Sequence, residues 1–305
     1  MKNFINYYYN LNIYNISLNN GRYFFYNGTD RYMLKLYENN PNNLSSYVEL
    51  SYQLKKYEHF FSLIINRDNQ YITVIDNKMY VLLKLSNIEN YKMSIFDIKN
   101  DFYVNVDNKV SVLNHFYWIS LWENKIDYFE EWFSSRMDSY KNIFPLFYYF
   151  IGLAENALLY LKETEKEEVK QKSDQLVVSH YRMHLEYELY DYYDPTNIII
   201  DHASRDISEY IKSSFVNKVW DIDMLRDYLA LHSFSKYGLR MILARILYPS
   251  FFFDYVEEMI MSNKEINLLY LENRLIEFEG FIKQVCLFLA DECNIPVIPW
   301  IVKKT

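Results

Sequence analysis

The most informative segment of this 305-residue chain is Asp201-His202-Ala203-Ser204-Arg205-Asp206-Ile207-Ser208-Glu209-Tyr210-Ile211. It concentrates a histidine, an arginine and two aspartates just before a segment whose apolar residues recur at helical spacing from Ile207 onward. Asp206 predicts a helix N-cap, and Glu209 three residues later predicts a capping box. We therefore expect a well-capped amphipathic helix to begin at Asp206. The segment offers neither a nucleophile nor a set of metal ligands for a catalytic site of its own.

Composition indicates a globular protein with a large core. Half of the residues are hydrophobic and 24% are charged, and the length allows two lobes. The 32 tyrosines and 21 phenylalanines, beside only 5 glycines, are typical of AT-rich coding, so single tyrosines are weak evidence of function. The net charge of −8 gives no global electrostatic surface for nucleic acid. Nucleic-acid binding is therefore not expected.

The sequence also predicts where the protein resides and the state of its two cysteines. The N-terminal segment Met1–Tyr7 has no uninterrupted apolar stretch, and no other run reaches the roughly 18 apolar residues of a membrane span. The sequence predicts a protein made and kept in the cytoplasm, with no membrane span. Cys286 and Cys293 lie seven residues apart in a predicted helix, which favours buried reduced thiols over a zinc site.

The first part of the chain reads as a β-rich lobe. Apolar and aromatic runs at Arg22–Tyr26 and Arg31–Tyr37 flank an Asn-Gly turn, which is a strong hairpin signal. A helix is predicted behind the Ser45/Ser46 pair, where apolar residues recur at helical spacing. Three further strands are then predicted, at Phe61–Ile65, Tyr71–Ile75 and Met79–Leu85.

The rest of the chain is predicted to be a helical lobe. Its apolar-periodic segments are Val110–Arg136, Phe147–Leu161, Ile207–Phe215, Ile222–Leu231, Leu239–Leu247, Phe251–Met261 and Ile266–Leu289. Short apolar runs at residues 176–178 and 198–200 predict a small β-insert near residues 175–201. We place the two lobes at residues 1–87 and 88–305.

This layout resembles that of protein kinases and of the aminoglycoside phosphotransferases. The predicted fold class is thus α+β, a two-lobed protein-kinase-like fold with one helix in its small β-lobe. Lys35 lies mid-strand, where a kinase offers a lysine to the nucleotide phosphates, and Glu49 on the next helix could pair with it. These two residues are the candidates for ATP binding. Their simpler interpretation is an edge-strand lysine and a surface carboxylate.

The segment that matches a kinase catalytic loop lacks the residues that do the chemistry. It reads His180-Tyr181-Arg182-Met183-His184-Leu185-Glu186-Tyr187. A kinase of this type places an aspartate two residues after the histidine, as base, and an asparagine five residues further on, as magnesium ligand. Arg182 and Tyr187 stand at those positions. Arginine cannot accept a proton at neutral pH, and losing a general base typically costs about 10²–10⁴ in rate.

The sequence evidence for a phosphate loop and for a second metal ligand is also weak. A glycine-rich turn should lie between the first two strands, because only bare backbone can approach the phosphates closely, yet residues 11–22 contain Gly21 alone. Three carboxylates, Asp191, Asp194 and Asp201, compete for the remaining metal position. None has the sequence context of a kinase magnesium ligand, so the metal assignment stays open.

Several short motifs, taken in their order along the chain, resemble those of the YutH-type spore coat proteins. These proteins are degenerate kinase-fold relatives of the CotS spore coat kinases. The segment 201–211 carries the clearest likeness. The others are Leu121-Trp122-Glu123 with Ile126-Asp127, Gly152-Leu153-Ala154-Glu155-Asn156-Ala157, His180-Tyr181-Arg182, Ala244-Arg245-Ile246-Leu247-Tyr248-Pro249 and Ile298-Pro299-Trp300-Ile301. Gly21-Arg22-Tyr23 and Tyr32-Met33 match more loosely.

The resemblance implies a structural use of the segment 201–211. Asp206 would open a helix and accept hydrogen bonds from the backbone of the loop around His180, and Arg205 would pair with a nearby carboxylate. It also implies a structural or assembly component of the bacterial spore coat, made in the mother cell, deposited on the coat and contacting other coat proteins.

Two other functions stay open at this point. The first is a small-molecule, ATP-dependent phosphotransferase with a rearranged site that uses Asp191, Asp194 or Asp201. The second is nucleotide binding without turnover, as a conformational switch. The degenerate loop favours a catalytically inactive pseudokinase without a bound cofactor, and the two alternatives would use ATP, with magnesium in the first.

Overall fold

An antiparallel sheet forms the N-terminal lobe in the computed structural model, which describes residues 1–136 and 141–302. Within those residues the sheet has six strands in the order β1-β2-β3-β6-β4, and β5 also pairs with β6. The strands are β1 Ile16–Asn19, β2 Arg22–Asn27, β3 Asp30–Leu36, β4 Ser62–Ile64, β5 Ile72–Ile75 and β6 Lys78–Lys84. All five predicted strands are confirmed, and β1 was not predicted.

The predicted hairpin between β2 and β3 forms, with Gly28 rather than Asn27 at the first central position of its turn. Asn27 pairs with Asp30, which leaves Gly28 and Thr29 as the turn. Gly28 has φ +63°, a left-handed conformation that costs other residues more than glycine. This turn fixes the register that puts Lys35 in the middle of β3, opposite Val81 of β6.

Two helices cover the two faces of the sheet. Helix α1, Lys2–Tyr9, packs Ile5 against the face that carries Leu34 and Leu82. Helix α2, Leu44–Leu54, packs Leu50 among the residues of the opposite face, which belong to the core of the whole molecule. Helix α2 is the predicted helix, although it begins at Leu44 rather than behind the serine pair. Helix α1 was not predicted.

The C-terminal lobe is helical with one small sheet, as predicted. Its helices are α3 Trp118–Ser134, α4 Phe144–Glu167, α5 Leu189–Tyr192, α6 Ser204–Val216, α7 Ile222–Leu231, α8 Lys236–Leu247, α9 Ser250–Met261, α10 Leu268–Cys293 and α11 Pro299–Val302. Strands β7 Leu176–His180 and β8 Ile198–His202 pair antiparallel, with His180 opposite Ile198. Helix α8 is the centre of this lobe, because it packs against α4, α6 and α10.

One helical segment in the described part of the chain, residues 141–167, is long and apolar enough to cross a membrane by length and composition alone. The sequence prediction rests on the absence of an uninterrupted run of roughly 18 apolar residues, whereas this segment stands out by its mean hydropathy, so the expectation of no membrane span stays a prediction. The segment contains α4, and ten residues of α4, Phe150, Ala154 and Leu161 among them, are buried in the protein. Helices α3 and α8 pack against it. These contacts are those of a core helix in a folded lobe.

Helix α4 offers a matched test of this packing. Leu161 is 1% exposed and Leu159, two residues earlier, is 55% exposed. Leu161→Ala should lower the free energy of unfolding by about 2–5 kcal/mol, because it leaves a cavity in the core. Leu159→Ala should change it by about 0.5 kcal/mol or less. Urea denaturation of the two variants measures the difference, and equal losses would contradict the burial of this face.

Candidate functional site

Helix α6 starts earlier than the sequence predicts, and this changes the role of Asp206. The helix begins at Ser204 after Ala203, so the predicted N-cap at Asp206 and its capping box are wrong. Asp206 lies in the first turn, where a carboxylate is favoured by the helix dipole. Its Oδ1 accepts a hydrogen bond from the His180 backbone N–H at 2.9 Å, and its Oδ2 lies 2.7 Å from His180 Nδ1. Both side chains are buried.

Arg205 makes a second connection from α6 to the same loop. Its Nε donates to the carbonyl oxygen of His180 at 2.8 Å, and its Nη2 donates to that of Tyr181 at 2.9 Å. The remaining Nη1 pairs with Asp201 Oδ2 at 2.6 Å. Neighbouring residues of one helix therefore bind the backbone of the loop on both sides of His180. The other His180 nitrogen, Nε2, lies 3.1 Å from the Tyr192 carbonyl oxygen, which completes the contacts of the ring.

Asp201, one of the three candidate metal ligands, is occupied by protein groups. The Trp118 indole N–H lies 3.0 Å from both of its carboxylate oxygens, and the His202 backbone N–H donates to it at 2.7 Å. Together with Arg205 these donors surround a carboxylate that is fully buried. A magnesium ion would have to displace them. The arrangement suits an architectural carboxylate.

Arg182, at the position of the catalytic base, lies between two carboxylates. Its Nη2 is 2.8 Å from Asp254 Oδ1, and its Nη1 is 3.5 Å from Glu209 Oε2. Burial alone would lower the pKa of Arg182, but Glu209 and Asp254 outweigh it and raise that pKa. The guanidinium thus stays protonated and cannot act as a general base.

Tyr187, at the metal-ligand position, is an aromatic neighbour of the loop histidines. Its ring lies 5.4 Å from that of His180 and 5.2 Å from that of His184, both edge to face. Burial of the phenol and then the nearby carboxylates, Asp191 foremost, raise the pKa of Tyr187 well above its usual value. A neutral phenol is a poor ligand for magnesium, which prefers carboxylate oxygens.

Lys35 is bound by the C-terminal lobe. Its ammonium lies 2.6 Å from Asp194 Oδ2, 3.0 Å from Asn197 Oδ1 and 3.2 Å from Thr196 Oγ1. An ammonium has three N–H donors, and three acceptors are in place. The predicted pair with Glu49 does not form, because Glu49 lies 3.1 Å from the exposed Lys109 instead.

The segment 189–197 brings those acceptors to Lys35 and fills the space between the lobes. The Tyr190 ring packs 5.4 Å from Phe61 and 6.1 Å from Phe24, both in the β-lobe. Asp191 forms an ion pair with Arg22. The Phe61 backbone N–H donates to the Tyr193 carbonyl oxygen at 3.0 Å. The segment is therefore bonded to the β-lobe along its length.

The residues predicted to hold ATP and magnesium do not fit that cofactor in this arrangement. Lys35, Asp191, Asp194 and Asp201 each already bind an oppositely charged side chain. Among residues 1–136 and 141–302, no group of three or more histidine, cysteine, aspartate or glutamate side chains could hold a metal ion.

Two features of the site were not anticipated. The role of Asp194 as internal partner of Lys35 has a sequence signal, since Asp-Pro-Thr-Asn favours a turn in which the aspartate caps its own backbone. Asp194 Oδ1 does accept from Thr196 N at 2.8 Å. The ion-pair cluster of Arg182 with Glu209, Arg245 and Asp254 has no such signal, because its members come from the loop and three separate helices.

A family model described as "Spore coat putative kinase YutH" matches residues 2–291. The chain belongs to this YutH family of spore coat proteins. The endospore coat-associated protein YutH of Bacillus subtilis (strain 168) is 27% identical over 212 residues, an alignment that covers 61% of this chain and 61% of the relative. The match thus spans less than two thirds of that curated protein. The family assignment from the sequence motifs is confirmed, and the family is described as one of spore coat proteins, as the resemblance implied.

Solved structures confirm the predicted fold. An aminoglycoside phosphotransferase from Alicyclobacillus acidocaldarius superposes with a TM-score of 0.52 at 11% identity, over 94% of this chain and 93% of that enzyme. Spectinomycin phosphotransferase APH(9)-Ia, in complex with ADP and spectinomycin, superposes with a TM-score of 0.50 at 12% identity, over 92% of each chain. At these identities the likeness shows a shared fold and no more. This chain therefore has the two-lobed kinase-like architecture.

Substitution of Asp206 tests the connection to the loop. Asp206→Ala should lower the free energy of unfolding by about 3–5 kcal/mol, because it removes both acceptors from the buried His180. Asp206→Asn, which keeps one acceptor, should lose less. Asp227→Ala on α7, where the side chain is exposed, is the matched control and should be near neutral. Denaturant titrations measure all three, and a neutral Asp206→Ala would contradict the role given to this residue.

Proposed function

We propose that this protein is a catalytically degenerate member of the YutH family that serves as a structural or assembly component of the spore coat. It would act through contacts with other coat proteins, without phosphoryl transfer. Family membership supports the coat assignment. The state of the kinase-like site supports the absence of catalysis.

The observation that carries this proposal is the binding of Lys35 by Asp194, Thr196 and Asn197. A kinase needs this lysine for the nucleotide phosphates. Here a nucleotide would have to break an ion pair whose side chains are 15% and 2% exposed. Separating such a pair leaves a buried charge without a partner, which costs about 3–5 kcal/mol. This free energy would make the binding of any nucleotide less favourable by the same amount.

The catalytic loop supports the same conclusion. Arg182 carries a permanent positive charge at the position of the base and is bound by Asp254 and Glu209. A protonated group cannot accept the proton of a substrate hydroxyl. Tyr187 lies between two histidine rings rather than at a metal. Proton transfer and magnesium binding would both require other residues.

The second candidate is an ATP-dependent small-molecule phosphotransferase with a rearranged site. The observation in its favour is that Lys35 has stayed in place within a kinase-like fold and lies beside a carboxylate, Asp194. For this function the segment 189–197 would have to leave the lobe interface, so that Asp191 or Asp194 could turn to magnesium. Asp201 could bind magnesium only if its ion pair with Arg205 broke. Nucleotide binding without turnover would need the same opening.

Addition of ATP and magnesium to the purified protein separates these functions. We expect millimolar MgATP to leave the melting temperature unchanged and to release no phosphate. A ligand at 100 times its Kd would instead stabilise the protein by about 2.7 kcal/mol. Stabilisation with hydrolysis, lost in Lys35→Met and kept in the exposed-lysine control Lys78→Met, would establish the phosphotransferase. Stabilisation without hydrolysis would establish the switch.

Coat association can be tested in Bacillus subtilis lacking its own YutH protein. A fluorescent fusion of this chain should collect at the surface of the forming spore. The Arg182→Ala fusion should reach the same place, because the proposed function uses contacts and not catalysis. A fusion that stays diffuse in the mother cell, although full length by immunoblot, would contradict the coat assignment.

A further inference from the structure

We propose that residues 190–194 act as a built-in ligand of the β-lobe. This segment presents an aromatic ring, Tyr190, and then two carboxylates, Asp191 and Asp194. Together they occupy one continuous site on strands β2 and β3. The chemistry of that site suits a molecule with a flat ring, a hydrogen-bond donor on the ring and two anionic groups, such as ADP. The inference rests on the proposed function and deepens it, because it identifies what excludes a nucleotide.

The Tyr190 ring is enclosed where the two lobes meet. It is 2% exposed, and it packs edge to face against Phe61, at 5.4 Å between ring centres, and beside Phe24 of β2, at 6.1 Å. The Arg31 guanidinium lies 5.7 Å from the centre of the same ring. Aromatic rings and guanidinium groups bind flat rings favourably. An aromatic group therefore suits this pocket, and Tyr190 fills it.

The Tyr190 hydroxyl binds the backbone that connects the two lobes. It donates to the carbonyl oxygen of Ile88, shortly after the end of β6, at 3.2 Å. The Tyr190 backbone N–H donates to Asn90 Oδ1 at 3.0 Å and holds the residue in place. A carbonyl oxygen accepts a hydrogen bond from a phenol O–H or from the N–H of a ring amine. A ring with such a donor could replace Tyr190, whereas an apolar ring would lose the bond to Ile88.

The two carboxylates of the segment lie on the same face of the sheet as the ring. Arg22 and Phe24 are two residues apart on β2 and share that face, and the register of β2 with β3 places Lys35 there too. Asp191 forms an ion pair with Arg22, and Asp194 Oδ2 lies 2.6 Å from Lys35 Nζ. The segment thus offers its ring to Phe24 and its carboxylates to the two cations.

The covalent connection explains why this occupant should exclude free ligands. A tethered group has an effective concentration of about millimolar even on a short flexible linker. A free ring compound must compete with it, so the wild-type protein should bind no free ring at this site. Removal of the tethered ring should expose the pocket, because engineered apolar cavities bind small aromatic molecules.

The first test replaces the tethered ring with a free one. Tyr190→Gly removes the whole side chain, and p-cresol consists of that side chain closed by a hydrogen atom. p-Cresol should bind purified Tyr190→Gly saturably at one site in calorimetry and should raise its melting temperature. Toluene, which lacks the hydroxyl, should bind at least tenfold more weakly. The wild type and the control Tyr14→Gly, whose tyrosine is 75% exposed, should show no such binding.

The second test removes the two carboxylates as well. Tyr190→Gly, Asp191→Asn and Asp194→Asn are combined in one variant, which leaves Arg22 and Lys35 without their anionic partners. This variant should bind ADP at least tenfold more tightly than the wild type does. It should also bind ADP at least tenfold more tightly than adenosine, because the phosphates meet the two cations. Addition of Lys35→Met should reverse the gain.

Several results would overturn the proposal. Absence of p-cresol binding by folded Tyr190→Gly, or equal affinity for toluene, would remove the ring site. If that variant is unfolded, p-cresol should restore its folding, and failure to do so has the same meaning. A combined variant that ADP neither binds nor folds, or that binds ADP and adenosine equally, would remove the anionic part. Turnover of MgATP by the wild type would instead contradict the proposed function, and it would leave the p-cresol result unaffected.

Discussion

The two hydrogen bonds from His180 to Asp206 are the contact on which the rest of the site depends. They join the end of β7 to the first turn of α6, and Arg205 adds bonds to the carbonyl oxygens of His180 and Tyr181. The side chains of His180, Arg205 and Asp206 are buried, where a polar group left without a partner is costly. The loop around Arg182 therefore keeps a kinase-like position. A kinase-like loop position does not require kinase chemistry, because none of these bonds uses the side chain of Arg182 or Tyr187.

At the lobe interface, too, polar groups are bound by other groups of the protein. In this protein, groups that could serve a nucleotide are bonded to one another: Lys35 with Asp194, and Arg22 with Asp191. The aromatic contacts of Tyr190 with Phe24 and Phe61 bury the segment that carries these partners. The lobes are held by internal contacts.

Sequence patterns predicted elements well and long-range partners poorly. Periodicity and the Asn-Gly turn predicted the five strands and the helical lobe, because those signals are local. The N-cap of α6 is Ala203, three residues before the predicted Asp206, since the polar residues that mimic a capping box bind distant groups: Asp206 binds His180, and Glu209 binds Arg245. The predicted pair of Lys35 with Glu49 is wrong for a similar reason. The choice between Glu49 and Asp194 depends on how the lobes meet, which no local pattern encodes.

A double-mutant cycle on Lys35 and Asp194 tests the internal bonding of the lobe interface most directly. Lys35→Met, Asp194→Asn and the double variant would be compared with the wild type by denaturant unfolding. We predict a coupling free energy of about 1–3 kcal/mol, because the two side chains form a largely buried ion pair. A coupling below about 0.3 kcal/mol, the level of independent sites, would contradict it. Lys35 would then be free to meet a nucleotide.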